Sequence, residues 1–141
     1  MSRLFAIIMT LAAFVGLKQA PAAENWPTQE FQQIIEGQLN AFKSDDEQAA
    51  YGYAARGIQN LFPSPQVFMG MVKSQYPQVY RPQSYRFLET LTDSAGRPAQ
   101  RVIFVGSDGR PSIALYSFER QPDGSWKISG CVIMQAPTGD A

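Results

Sequence analysis

The sequence predicts an α+β fold in which helices gather on one side of an antiparallel sheet. Three observations carry this. Apolar residues recur at helical spacing between residues 24 and 82, four strand-length runs follow between 84 and 135, and Asp-Gly pairs punctuate those runs. Helices followed by a succession of strands point to α+β architecture rather than alternating α/β.

The chain opens with a segment that reads as a targeting signal. Arg3 is followed by an uncharged run, Leu4 to Leu17, and then by the small-residue pattern Ala20-Pro21-Ala22. A basic start, an apolar stretch and an A-x-A site form a secretory signal peptide. The run is shorter than the ~20 residues needed to span a bilayer. The expected division is therefore a signal peptide over 1–23, cleaved after Ala22 or Ala23, and a single domain over 24–141. Export by the general secretory route would deliver it to the periplasm or beyond.

The first helix is expected from Thr28 to Lys43, with Phe31, Ile34, Ile35, Leu39 and Phe42 on one face. Ser44 and Glu47 form a capping-box pattern for a second helix ending near Gly57. Ile58 to Phe62 reads as a short strand. Ser64-Pro65 reads as N-cap and first-turn proline of a third helix, which runs to about Tyr76. Pro77 and Pro82 then force an extended connector. Four strands follow, at about Ser84–Thr92, Ala99–Gly106, Ser112–Gln121 and Trp126–Gln135. Asp108-Gly109 and Asp123-Gly124 read as two-residue hairpin turns.

Turn length sets register. With those turns, Glu89, Arg101, Tyr116 and Cys131 align in one row across the sheet. Phe87, Ile103, Ile133 and Phe118 share that face with Tyr85. The opposite face carries Leu88, Val102, Leu115 and Val132, flanked by Phe104, Ile113, Met134, Ile128 and Trp126. Being more uniformly apolar, it is assigned to the helices. The first face then remains apolar with no cover, which fits a homodimer interface. Its polar row reads in two ways. A carboxylate, a guanidinium, a phenol and a thiol side by side could orient a small polar ligand. Equally, Glu89 and Arg101 form an ordinary cross-strand ion pair.

Composition narrows the chemistry. The chain has no His and one Cys, Cys131. A Cys/His zinc site and a His-based triad cannot be built, and no cofactor or metal motif is read. A lone strand cysteine reads first as a small buried hydrophobe. The acids Asp45, Asp46 and Glu47 are accounted for by a helix start. Loss of residues 1–23 takes Arg3 and Lys18 from 12 basic residues and none of the 12 acidic ones, leaving a net charge near −2. That speaks against nucleic acid and against a polybasic membrane contact once the signal is removed.

The stretches QLNAFKSDD (38–46), FPSPQVFMGMV (62–72), YPQVYRP (76–82) and DGSWKISGC (123–131) resemble the exported bacterial family catalogued as domain of unknown function 4864. The order of elements is similar to the cone-shaped nuclear transport factor two-like superfamily. The resemblance implies a cone fold with an interior pocket. It carries over no functional residue, because that family has no assigned activity. The wider superfamily contains isomerases, dehydratases, hydrolases and non-catalytic modules, so fold alone does not give function. Three expectations follow. The first is a non-catalytic module that binds a small apolar ligand or a protein partner. The second is an isomerase, dehydratase or hydrolase with Glu89 as base and Tyr116 or Arg101 stabilising negative charge. The third is a structural homodimer through a sheet face.

Overall fold

A computed structural model describes residues 25–135, and the signal segment expected over 1–23 lies outside the described residues. Five helices precede a four-stranded sheet. They are α1 (Thr28–Lys43), α2 (Glu47–Gly52), α3 (Arg56–Leu61), α4 (Pro65–Gln75) and α5 (Pro77–Tyr80). The strands β1 (Ser84–Thr92), β2 (Pro98–Val105), β3 (Pro111–Arg120) and β4 (Trp126–Gln135) form an antiparallel meander in the order β1-β2-β3-β4. The α+β expectation holds. The expected three helices and one short strand become five helices and no fifth strand among the described residues.

The long elements follow their apolar spacing. Helix α1 buries Phe31, Ile35, Leu39 and Phe42 on one stripe. Helix α4 begins as expected, with Pro65 in the first turn and Ser64 Oγ accepting from Val67 N–H at 3.2 Å. The capping box at Ser44 does not form. The Ser44 hydroxyl instead turns back to donate to Asn40 O at 3.0 Å, at the end of α1. Asp45 follows in the left-handed region at φ 53°, and Asp46 becomes the N-cap, accepting from Ala49 N–H at 3.1 Å. Asp45 also ties the connector down. It accepts from the Tyr80 hydroxyl and pairs with Arg81 at 3.0 Å, while the Arg81 guanidinium lies 4.7 Å from the Tyr80 ring centre.

Two further expectations fail for one reason. The second helix stops at Gly52, and residues 53–55 run beside the sheet. There Ile128 N–H donates to Tyr53 O at 2.9 Å and Ala55 N–H donates to Ile128 O at 2.8 Å. This isolated parallel bridge takes the strand-like role expected of Ile58 to Phe62. That segment is helical instead, as α3. The 76–82 connector also holds a helical turn, α5. Pro77 ends α4 but suits a first turn, because it lacks only the N–H that a helix start leaves free.

Strand boundaries lie within one residue of expectation, but register does not. The Asp-Gly turns are three-residue loops, closed by Gly106 N–H to Arg110 O at 3.0 Å and Gln121 N–H to Ser125 O at 2.7 Å. In each the third residue is glycine at positive φ, Gly109 at 78° and Gly124 at 87°. The extra residue slides β3 by one against β2, so Arg101 faces Leu115 and Gln100 faces Tyr116. A one-residue slide moves side chains to the other face. The helices therefore cover Phe87, Val102, Phe104, Ala114, Tyr116, Phe118 and Ile133, a mixture of the two faces drawn from sequence. Phe87 and Phe118 belong to the core rather than to an open face, and Leu115 and Val132 lie on the helix-free side.

Two bulges complete the sheet. Leu88 and Glu89 together oppose Arg101, between the pairs Phe87–Val102 and Thr90–Gln100. In β4, Ser129 is the extra residue between Phe118–Ile128 and Ser117–Gly130. This second bulge undoes the slide from the turn and restores Tyr116 opposite Cys131. The first bulge is plugged by Gln100, which is fully buried. Gln100 Nε2 donates to Leu88 O at 2.8 Å and Arg101 O at 2.9 Å, with Glu89 O at 3.3 Å. Its Oε1 accepts from the Thr90 hydroxyl at 2.8 Å, which in turn accepts from the Thr28 hydroxyl at 2.8 Å. One amide thus satisfies the bulge and ties β1 to the start of α1. The same end is closed by Phe31, stacked on Phe118 at 4.2 Å, and by Trp26 edge-on to Trp126 at 6.0 Å.

Gln100→Leu keeps the volume and removes the plug, leaving buried carbonyls without donors. We expect a loss of about 2–4 kcal/mol in urea unfolding. A loss under 1 kcal/mol would mean that the bulge does not depend on Gln100.

Candidate functional site

A cavity of about 240 Å³ lies between the helices and the β3–β4 half of the sheet. Its walls follow from helical spacing. Ile58, Leu61 and Phe62 come from α3 and the residue after it, Phe68, Met71 and Val72 from α4, and Phe42 from α1. Phe68 holds the wall together, with ring centres 5.7 Å from Tyr51, 6.3 Å from Phe42 and 6.4 Å from Phe62. Helix α3 buries no residue fully and is held by side-chain bonds instead. The Tyr51 hydroxyl donates to Phe62 O at 2.6 Å, and Gln59 Nε2 donates to Tyr51 O at 3.1 Å. Leu61, 75% exposed, stands at the rim.

The floor is polar but uncharged. Tyr116, Ser129, Gly130 and Cys131 form it. Tyr116 is 1% exposed and its hydroxyl meets the Cys131 thiol, while Ser129 Oγ has no hydrogen-bond partner among the described residues. Both hydroxyls owe their place to the β4 bulge, which inserts Ser129 and sets Tyr116 opposite Cys131. A buried hydroxyl without a partner costs about 1–3 kcal/mol. Two neighbouring polar groups are engaged elsewhere. The Tyr76 hydroxyl donates to Cys131 O at 3.3 Å, and Gln38 Nε2 donates to Ala50 O at 3.2 Å. No Asp, Glu, Lys or Arg lines the cavity among the described residues.

Burial holds the floor neutral. It pushes the Cys131 thiol from 9.0 up to about 12. Burial, and then the neighbouring thiol, raise the Tyr116 phenol well above its ordinary range. At neutral pH both groups are protonated. The thiol is not a nucleophile there, and the phenol is available as a hydrogen-bond donor.

The four residues aligned from sequence separate into two pairs. Tyr116 and Cys131 face each other on the cavity floor. Glu89 and Arg101 form an ion pair on the helix-free face, where the Glu89 side chain is 54% exposed. The Arg101 hydrogen bond holds the Glu89 carboxyl below its usual range, away from the value that suits a general base. Catalysis at Glu89 requires a carboxylate in the cavity, and the register places it across the sheet. Sequence reasoning placed Ser129 on the face of Tyr116 and Cys131 without giving it a role, and it missed the aromatic wall. The spacing of Ile58, Leu61 and Phe62 is the signal that could have found the wall. Alternation along β4 puts Ser129 on the Cys131 face, but nothing in the sequence marks it as the bulge residue. No group of acidic or thiol side chains suited to a metal ion occurs among the described residues.

The raised thiol predicts a limb in the stability–pH profile. The unfolded thiol ionises near 9 and the folded one near 12. Stability from the neutral thiol is therefore complete below pH 9 and lost as pH rises towards 12. From pH 8 to 10.5 this amounts to about 2 kcal/mol. We expect Cys131→Ala to flatten the limb by that amount in urea titrations. An unchanged slope would place the ionisation elsewhere.

Comparison with known proteins adds a family and no activity. No curated protein matches the chain, and no solved structure matches it. Residues 25–141 match the family described as domain of unknown function (DUF4864). That match takes in all the described residues, with the cavity walls and floor, and the chain belongs to the DUF4864 family.

Proposed function

We propose that the chain is a non-catalytic module that binds a small, uncharged, largely apolar molecule between the helices and the sheet. One observation carries this reading. The cavity has apolar walls and, among the described residues, no charged side chain, while Gln38, Tyr116, Ser129 and Cys131 bring a few neutral polar groups to it. Binding pockets are characteristically apolar with a few convergent polar groups. Among the described residues the lining supplies no carboxylate, and the chain has no imidazole, which favours binding over catalysis. The helices closed against one sheet face accord with a cone of the nuclear transport factor two type. The signal-like segment over 1–23 accords with work in the periplasm or outside the cell.

The test is native mass spectrometry of protein expressed with its leader and purified gently from the periplasm. The expected result is a chain cleaved after Ala22 or Ala23 that carries a small adduct lost on denaturation. Intact leader would overturn export, and an apo protein that takes up no neutral apolar dye would overturn the binding reading. Leu61→Lys places a charge at the rim without touching the core. It should weaken dye binding about tenfold through lost apolar contact, with the melting temperature unchanged.

A second reading is association of two copies through the helix-free sheet face. It is favoured by Val132, 60% exposed, and Met134, 39% exposed, beside half-buried Leu115 and Ile103. Val132→Asp should shift a dimer to monomer in sedimentation equilibrium while leaving dye binding intact. A wild-type monomer at 100 μM, an order-of-magnitude bound for an association of physiological use, would end this reading.

A further inference from the structure

The cavity has one weakly built wall. We propose that α3 is the gate to it: the helix unwinds between two fixed ends and lets a ligand pass. This route rests on the binding reading above and adds to it how the ligand enters and leaves.

The walls differ in how they are held. Phe42, Phe68, Val72, Val79, Tyr116 and Ile128 line the cavity from α1, α4, α5 and the sheet, and each is at most 4% exposed. Helix α3 lends Ile58 and Leu61 to the same cavity, yet none of its residues is fully buried. Its own helical stability is low. It has six residues, and a helix that short does not persist in water without outside support. Ala55 at the N-cap makes no side-chain hydrogen bond to the first turn. Gly57 sits in that turn, where glycine weakens a helix relative to alanine.

The ends are fixed. Before α3, Tyr53 O and Ala55 N–H are bonded to the Ile128 backbone on β4. After it, Ser64 caps α4. Between these anchors one side chain does most of the holding. The Tyr51 hydroxyl donates to Phe62 O at 2.6 Å, with Gln59 O at 3.1 Å, and Gln59 Nε2 donates back to Tyr51 O at 3.1 Å. Tyr51 itself does not line the cavity. A short segment with few buried contacts opens at a smaller free-energy cost than the core, and openings of this kind commonly control passage to a site.

Two substitutions shift the gate in opposite directions. A Cβ added at Gly57 meets nothing within 4 Å, so Gly57→Ala strengthens the helix without a clash. Tyr51→Phe removes the hydroxyl and keeps the ring that packs 5.7 Å from Phe68. In hydrogen exchange, the wild-type amides of residues 59–62 should show protection at least about a hundredfold below that of Ile35 and Leu39 in α1. Gly57→Ala should slow their exchange about two- to fivefold, and Tyr51→Phe should speed it about three- to tenfold.

Ethylbenzene is the ligand probe. It is slightly larger than the benzene that a cavity of about 150 Å³ holds, and the space here is about 240 Å³. NMR exchange spectroscopy gives its binding rates. Passage through α3 requires the on-rate and off-rate to fall together in Gly57→Ala and to rise together in Tyr51→Phe, by the factors seen in amide exchange. Kd should stay within about twofold, because free and bound protein both rest in the closed state. A purely structural helix would leave the two rates uncoupled from amide exchange. Rates that do not move while amide exchange responds would overturn the gate and leave the binding reading intact. Protection at residues 59–62 equal to that of α1 would overturn it in the same way. Failure of ethylbenzene to bind at millimolar concentration would overturn both. Gly57→Ala carries the test even if Tyr51→Phe fails to fold.

Discussion

Ser129 has no partner across the β3–β4 ladder, and the geometry of the cavity depends on that single unpaired residue. Without it, the three-residue loop at Gly124 would carry its one-residue offset along the whole of β4. Tyr116 would then face Gly130, and Cys131 would pair with Leu115 and leave the floor. The stitch between Ile128 and residues 53–55 sits immediately before the bulge. It fixes β4 where the strand changes pace and anchors the start of α3 at the same point. A local irregularity of backbone hydrogen bonding thus sets the distance between wall and floor.

The two bulges treat buried polarity in opposite ways. At the β1 bulge, Gln100 meets every demand, with donors on carbonyls and its own oxygen on Thr90. At the β4 bulge, the Ser129 hydroxyl is left unanswered. Satisfied buried networks hold a core in one arrangement, while unsatisfied buried groups are costly. One end of the sheet is therefore built for rigidity. The other leaves the Ser129 hydroxyl unpaired beside the cavity.

The helical layer was largely legible because 3.6-residue periodicity is a long-range signal, and Phe31, Ile35 and Leu39 repeat it over several turns. Failures came where one short signal served two geometries. Asp-Gly suits two-residue and three-residue hairpins alike, since both need positive φ at glycine. Register was illegible for a further reason. Val102 and Phe104 alternate with Ile103 and Val105, and Leu115 with Ala114 and Tyr116. A one-residue slide exchanges one apolar set for another, so hydrophobic patterning has little with which to detect it. Half of the expected polar row survived, because Tyr116 and Cys131 lie on two strands whose two offsets cancel. Glu89 and Arg101 also remained neighbours, but on the other face. The break in the row fell between Arg101 and Tyr116, at the turn that was misread.

The same irregularities bear on how this chain meets copies of itself while it is being made and folded. A four-stranded meander has two open edges, and an open edge is a template for uncontrolled strand addition. Here the β1 edge is broken by the Leu88–Glu89 bulge, and its far end is engaged by Trp26 and Thr28 through Thr92 and Thr90. The β4 edge is occupied at Ile128 by the backbone of residues 53–55. Neither edge offers an incoming strand a long uninterrupted row of donors and acceptors. The chain has a single cysteine and can close no internal disulfide, so these interruptions give it a covalent-free defence against fibre-like stacking.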